Sequence, residues 1–298
     1  MVMVQKICGG TQVIQLRPYL NLLRPGTLIP PMVGGFLFAL MGIRVSGLSV
    51  SPTVIFFALL NGFLLACSNA ISNIVNQVHD RETDRLLSHK KNRPIPSGEV
   101  TIDEALSIVV VLMIATLGLA WFFFSPFYGV TLSIILFFTW MYNSPPLRLK
   151  NRLFWSNFAI ATPRGALGIL VAYSAFASPL DSRILIPALA FGIYVYGTNT
   201  FKDYEDCEVD AKMGVRNFCT VYGKEKSSAI VTVFLALPYV IFALAGSGLV
   251  FLTIPLSASM AIILTKNPSL KGQGILMWKL FYLQYAMLMF LYALPFLL

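Results

Sequence analysis

Long apolar runs separated by short polar breaks dominate the hydrophobic pattern. Nine runs are long enough to span a bilayer, near 18–46, 52–78, 102–122, 126–143, 153–176, 184–201, 227–246, 248–265 and 275–297. About 20 apolar residues are needed for a membrane helix. The strand-type alternation of a membrane barrel is absent, so the pattern predicts helices that satisfy their own backbone. The first run is expected to begin with an amphipathic stretch (Val13, Ile14, Leu16, Leu20, Leu23) lying along the interface, before the chain dips at Arg24-Pro25-Gly26. No linker or low-complexity tract interrupts the series, which predicts one transmembrane domain over residues 1–298.

Composition agrees with this pattern. The chain is 57% hydrophobic and 12% charged, with mean hydropathy +0.74, whereas soluble domains carry about 25% charged residues. Met1–Gly10 has no cleavable signal pattern, so the first span is expected to persist in the mature protein. Cys8, Cys67, Cys207 and Cys219 show no paired spacing; neither a disulfide framework nor a zinc site is expected, and Cys207 and Cys219 read as plain small residues.

Basic residues fall on one side. They occupy the loops after the second span (Arg81, Arg85, Lys90, Lys91, Arg93), the fourth (Arg148, Lys150, Arg152), the sixth (Lys202, Lys212, Arg216, Lys224, Lys226) and the eighth (Lys266, Lys271). Only Arg44 and Arg183 fall opposite. The positive-inside rule then places the N-terminus and these loops in the cytoplasm and Leu298 outside. This bias accounts for the net charge of +9 without a nucleic-acid partner.

The acidic residues are more specific. Twelve of thirteen lie in 80–104 and 203–225; the other is Asp181. Ionised carboxylates near hydrocarbon are costly and mark function by default. They are also spaced, as Asn76-x3-Asp80-x3-Asp84 and Asp203-x2-Asp206-x3-Asp210. On a helix each set shares one face, where like charges repel unless a cation lies between them. Oxygen-only ligands suit Mg²⁺, which takes one or two carboxylates and completes its octahedron with water and phosphate oxygens. Lys90, Lys91, Arg93, Arg148, Lys150 and Lys202 flank the acids, a mixture suited to a departing phosphate group. Charged loops at a membrane surface are usually only solvated; the repeated spacing is what sets these apart.

NQVHDRETD followed by KNRPIPSG resembles the first signature of the UbiA superfamily of intramembrane prenyltransferases. KDYEDCEVDAKMG resembles the second, and YNSPPLRLK the loop between spans 4 and 5. The resemblance implies an all-α integral membrane fold of nine helices around a central cavity with a polar cytoplasmic cap. It implies Mg²⁺-dependent transfer of an isoprenyl group from an allylic diphosphate to a lipophilic acceptor, with two ions clamping the diphosphate. Asn76, Asp80 and Asp84 would hold one ion and Asp206 and Asp210 the other, with Asp203 beside them as a partner or base. Arg93, Arg148, Lys150, Lys202, Tyr142 and Arg24 would contact the diphosphate; Tyr142 is also a catalytic candidate among aromatic residues that mostly pack or face lipid. Gln77 stands where many members carry Asp, which lowers the charge of the first cluster.

NRPIPSGEVT resembles both (bacterio)chlorophyll synthase-like members and archaeal digeranylgeranylglyceryl phosphate synthases. A geranylgeranyl-type donor and a quinone precursor or geranylgeranylglyceryl phosphate as acceptor are the expected substrates. Two other readings compete. A Mg²⁺-dependent phospholipid alcohol transferase requires D-x2-D-G-x2-A-R, but Cys207 follows Asp206. A cation-coupled transporter would place acids near the midplane rather than at span ends. Arg164, inside the fifth span beside Pro163, is a functional candidate or a cap for carbonyls freed by the proline. His79 points away from Asp80 and reads as structural; His89 can reach phosphate.

Overall fold

The computed structural model describes residues 2–7, 10–267 and 272–298; Cys8 and Lys271 lie outside them. The chain opens on an antiparallel hairpin, β1 (Val2–Ile7) with β2 (Gly10–Gln15). Val13 and Ile14 therefore belong to a strand, and the helix expected around them begins only at Leu16. Helices follow: α1 (Leu16–Leu23), α2 (Ile29–Val45), α3 (Pro52–Leu86), α4 (Pro94–Ser97), α5 (Ile102–Phe123), α6 (Pro126–Asn143), α7 (Trp155–Ala161), α8 (Gly168–Ser174), α9 (Ser182–Thr198), α10 (Cys207–Lys212), α11 (Phe218–Leu244), α12 (Ile254–Lys266) and α13 (Gln273–Leu297).

Six helical segments are long and apolar enough to cross a membrane: α3, α5, α9 with its continuation to Asp203, α11, α12 with the 3-10 run before it, and α13. A seventh is counted if α1 through Thr27 and α2, bent by 54°, form one span. The other two expected spans are helical but fall outside this count. α6 has 18 residues and ends in the polar-aromatic run Trp140–Asn143. The fifth run is divided into α7, a π-helical turn at Thr162–Leu167, and α8.

α3 organises the bundle. Its 35 residues reach about 50 Å at 1.5 Å per residue, against a hydrocarbon core of about 30 Å. The helix is longer than one crossing requires, and its final turns carry the polar residues of the first motif. Lower down, small residues let neighbours approach: a Cβ on Gly35 would lie 2.8 Å from the Gly62 Cα, and one on Gly62 would lie 2.5 Å from the Met32 carbonyl oxygen. Buried amides join the helices, as polar groups do where solvent cannot. Asn61 Nδ2 donates to the carbonyls of Gly35 (2.8 Å) and Ala172 (3.3 Å), and its Oδ1 accepts from the Tyr128 hydroxyl (2.7 Å). One side chain thus ties α3 to α2, α8 and α6. Gln284 on α13 does the same, accepting from Tyr194 (3.0 Å) and donating to Tyr239 (3.0 Å) and Ser257.

A third set of amides runs along α3. Asn69 donates to the Thr27 carbonyl (2.9 Å), Asn73 to the Leu23 carbonyl (3.0 Å) and Thr27 Oγ1 (2.8 Å), and Gln77 to the Leu22 carbonyl (2.9 Å). These bonds satisfy the backbone where α1 and α2 are bent apart, and they hold Arg24 in a left-handed conformation (φ 56°, ψ 64°).

Close approach at glycine generates a stability prediction. A Cβ on Gly197 would lie 2.0 Å from the Phe234 Cβ, whereas Gly118 in α5 has open space. Gly197→Ala is expected to destabilise the detergent-solubilised protein by about 1–3 kcal/mol, and Gly118→Ala to leave it unchanged or slightly more stable. Thermal unfolding of the two variants checks this; equal melting temperatures would contradict the packing.

Candidate active site

The end of α3 stacks Asn76, Asp80 and Asp84 along one face, and all three line a cavity of about 370 Å³. Asp80 and Asp84 are buried. Asn76 Nδ2 donates to Asp80 Oδ2 (2.8 Å) and to Asn143 Oδ1 at the end of α6 (3.0 Å). Lys150 lies 2.6 Å from Asp80 Oδ1, and Arg148 lies 3.6 Å from the same atom. Arg93 pairs with Asp84 at 2.7 Å. Its position follows from the RPIPSG segment, which folds as α4 and turns at Gly98 (φ 82°), back against α3.

The second motif differs from the single helical face expected. α9 passes after Thr198 into a 3-10 run, Asn199–Asp203; Asp206 then stands at the N-terminal boundary of α10, without a side-chain capping bond, and α10 carries Asp210. The tighter 3-10 turn changes the angular spacing, yet all three aspartates still line the cavity. Lys202 donates to Asp203 Oδ1 (3.0 Å) and to the Tyr142 hydroxyl (3.0 Å), with its ammonium 5.5 Å from the Tyr142 ring centre. Lys90, from the loop after α3, crosses to pair with Asp206, and His89 Nε2 lies 3.3 Å from Asp206 Oδ1. Asp210 accepts from Asn217 (3.1 Å). Burial, with the Asp203 and Asp206 carboxylates nearby, pushes the Asp210 carboxyl up to about 6. Burial works against the Lys150 charge, but Asp80 outweighs it and holds that ammonium above its ordinary value.

Other expectations resolve individually. Arg148 reaches Asp80 but is not part of the cavity wall; Arg24, Lys150, Lys202, Arg93 and Tyr142 are. His79 bonds Ser144 (2.9 Å) and lies outside the wall, in keeping with a structural role. Gln77 points to the Leu22 carbonyl, so its missing charge would not have faced the cavity with Asp80. Cys207 and Cys219 form a disulfide, with Cα atoms 5.8 Å apart, which corrects their reading as plain small residues. The fold brings the start of α11 against α10, a proximity no spacing rule reveals.

The donor set suits a hard divalent cation. Asp203 Oδ2 is buried without a hydrogen-bond partner. Asp80 Oδ1 and Asp206 Oδ1 likewise receive no aligned donor, although Lys150 Nζ lies 2.6 Å from the first and His89 Nε2 3.3 Å from the second. Among the described residues, no three carboxylate, imidazole or thiolate side chains converge on one point. The protein thus offers partial shells, which suit an ion that keeps water and phosphate oxygens.

The fold is that of the intramembrane prenyltransferases. Residues 35–294 match the UbiA prenyltransferase family, and the chain belongs to it. Digeranylgeranylglyceryl phosphate synthase of Methanocaldococcus jannaschii is 26% identical over 216 residues, 72% of this chain and 71% of the relative. Homogentisate phytyltransferase of Synechocystis is 27% identical over 285 residues, 88% of this chain and 91% of the relative. A solved digeranylgeranylglyceryl phosphate synthase structure shares the fold with a TM-score of 0.68 at 24% identity, covering 95% of this chain and 98% of its own. A UbiA homologue from Archaeoglobus fulgidus bound to GPP and Mg²⁺ gives 0.62 at 19%, covering 94% and 99%. The protein is a multi-pass membrane enzyme of the prenyltransferase class.

The disulfide is directly checkable. Alkylation of the unfolded protein without reductant is expected to leave Cys207 and Cys219 unmodified, and Cys219→Ser to cost about 2–4 kcal/mol of stability. Intact-mass analysis showing both thiols alkylated would contradict the bridge.

Proposed function

We propose that this enzyme transfers a long isoprenyl group, of the geranylgeranyl type, from its allylic diphosphate to a lipophilic acceptor in a Mg²⁺-dependent reaction. The observation that carries this reading is the convergence of both aspartate motifs, with their unpartnered oxygens and surrounding cations, on one cavity. Asn76, Asp80 and Asp84 would hold one ion, and Asp206 and Asp210 a second, with Asp203 beside them. Mg²⁺ supplies charge neutralisation to the diphosphate. Arg93, Arg148, Lys150 and Lys202 add fixed positive charge that favours the leaving group over the bound ester. Tyr142, held by Lys202, presents a ring at the same level.

The C1–O bond breaks with its electron pair leaving on diphosphate. The acceptor nucleophile bonds to C1 and loses its proton. Apolar wall residues such as Ile135, Phe138, Ile160 and Val195 keep the allylic cation from water. We assign the charged cap to the cytoplasmic side, from the lysine and arginine bias of its loops, and read the helical segments as nine crossings of one domain. The acceptor fits a quinone precursor or a glycerol phosphate ether, the chemistry of the named relatives. The transporter and alcohol transferase readings lack support beside the family match.

Purified protein with geranylgeranyl diphosphate and an acceptor panel is expected to release diphosphate and form prenylated product with Mg²⁺ and not with EDTA. Asp80→Ala and Asp206→Ala are each expected to lower kcat by at least about 100-fold while membrane insertion is retained. Full activity in both variants would refute the clamp. Arg148→Ala should raise the donor KM by about tenfold; an unchanged value would remove Arg148 from donor binding.

A further inference from the structure

Two arginines in the cavity wall are unlike the other basic residues there. Every other basic side chain of the wall faces an aspartate within 3.3 Å. Arg24 and Arg164 line the same cavity, and among the described residues neither guanidinium has an ion-pair or hydrogen-bond partner. Arg24 feels the charges of Arg93 and Asp84 on the cap side as well as that of Arg164, and Tyr282 lies near both arginines. Like charges left together beside hydrocarbon are costly.

Both are also presented by irregular backbone. Arg24 occupies the left-handed region, which a residue with a side chain rarely enters, and the α3 amides hold the bend around it. Arg164 sits in the π-helical turn Thr162–Leu167, a distortion frequent at functional sites. Its carbonyl accepts from the Tyr285 hydroxyl at 2.9 Å, and Gly165 packs against Gly192, where a Cβ would lie 2.7 Å from the Gly192 Cα. The guanidinium of Arg164 does not cap freed carbonyls. Arg164 follows Trp155, the first residue of α7, by nine positions.

We propose that Arg24 and Arg164 form a second anion subsite, which takes the negatively charged group of the acceptor. The acceptor is then an amphiphile bearing a carboxylate or a phosphate, held so that its nucleophile faces the donor. This moves Arg24 from the diphosphate to the acceptor. Naming the ligand as the acceptor rests on the prenyl-transfer reading; the anion subsite itself does not.

The test separates the two. The full-length protein in non-ionic detergent, without donor or metal, is titrated with dodecyl phosphate, dodecanoate and dodecanol. At least one anion is expected to bind about tenfold more tightly than the alcohol, and which one does so distinguishes phosphate from carboxylate. Arg164→Gln should abolish that preference and Arg164→Lys restore part of it, while Mg²⁺-dependent binding of geranylgeranyl diphosphate persists as the check on folding. If Arg164→Gln does not fold, Arg164→Met carries the same expectation. Equal binding of anions and alcohol by the wild type, or an undiminished preference in the folded variant, would overturn the subsite. Anion preference without any Mg²⁺-dependent donor binding would instead overturn the prenyl-transfer reading and leave the subsite standing.

Discussion

Charge compensation at the cap is the constraint on which the rest of the molecule depends. Asp80, Asp84, Asp203 and Asp206 are buried, and each is met by a cation from the chain: Lys150, Arg93, Lys202 and Lys90. Withdrawing such pairs from water costs several kcal/mol per ion before their attraction returns any of it. They are therefore weak evidence for stability and better evidence for use. Lys90, beside the first motif, pairs across to the second, so the two motifs are held opposite each other before any substrate arrives. A diphosphate with its cations can exchange with these lysines, because both partners remain compensated.

The apolar part of the bundle meets the complementary constraint, that every buried backbone group must be satisfied. Regular helices do this alone. Irregular backbone occurs around the cavity, at Arg24, at Thr162–Leu167 and at Asn199–Asp203. At the first two, side chains on neighbouring helices supply the missing bonds, the α3 amides at one and Tyr285 at the other. α3 serves both constraints: its amides brace the α1–α2 bend while its last turns carry the first motif.

Much of this was legible in the sequence where the signal was local. Apolar run length located the six helical segments long and apolar enough to cross a membrane, and i, i+4, i+8 spacing placed Asn76, Asp80 and Asp84 on one face because α3 continues unbroken through them. The second motif was legible as a cluster but not as a conformation, since the 3-10 run depends on packing after Thr198. Asn69, Asn73 and Gln77 carry the same four-residue spacing, but amides lack the charge that makes carboxylates conspicuous in an apolar run. The Cys207–Cys219 bridge and the hairpin before Leu16 arise from tertiary pairing that periodicity does not encode. Arg164 could be singled out as an intramembrane charge, but its lack of a partner could not.

The account turns on the two aspartate motifs holding a diphosphate through divalent cations rather than directly. Calorimetric titration of a non-reactive thio-analogue of geranylgeranyl diphosphate, with and without Mg²⁺, tests this most directly. Because neither motif alone forms a complete shell, Mg²⁺ and the analogue should each bind weakly by themselves. Each should then strengthen the other by the same factor, as linkage requires. Equal affinity for the analogue in Mg²⁺ and in EDTA would mean that the basic residues bind the diphosphate unaided, and the clamp would be wrong.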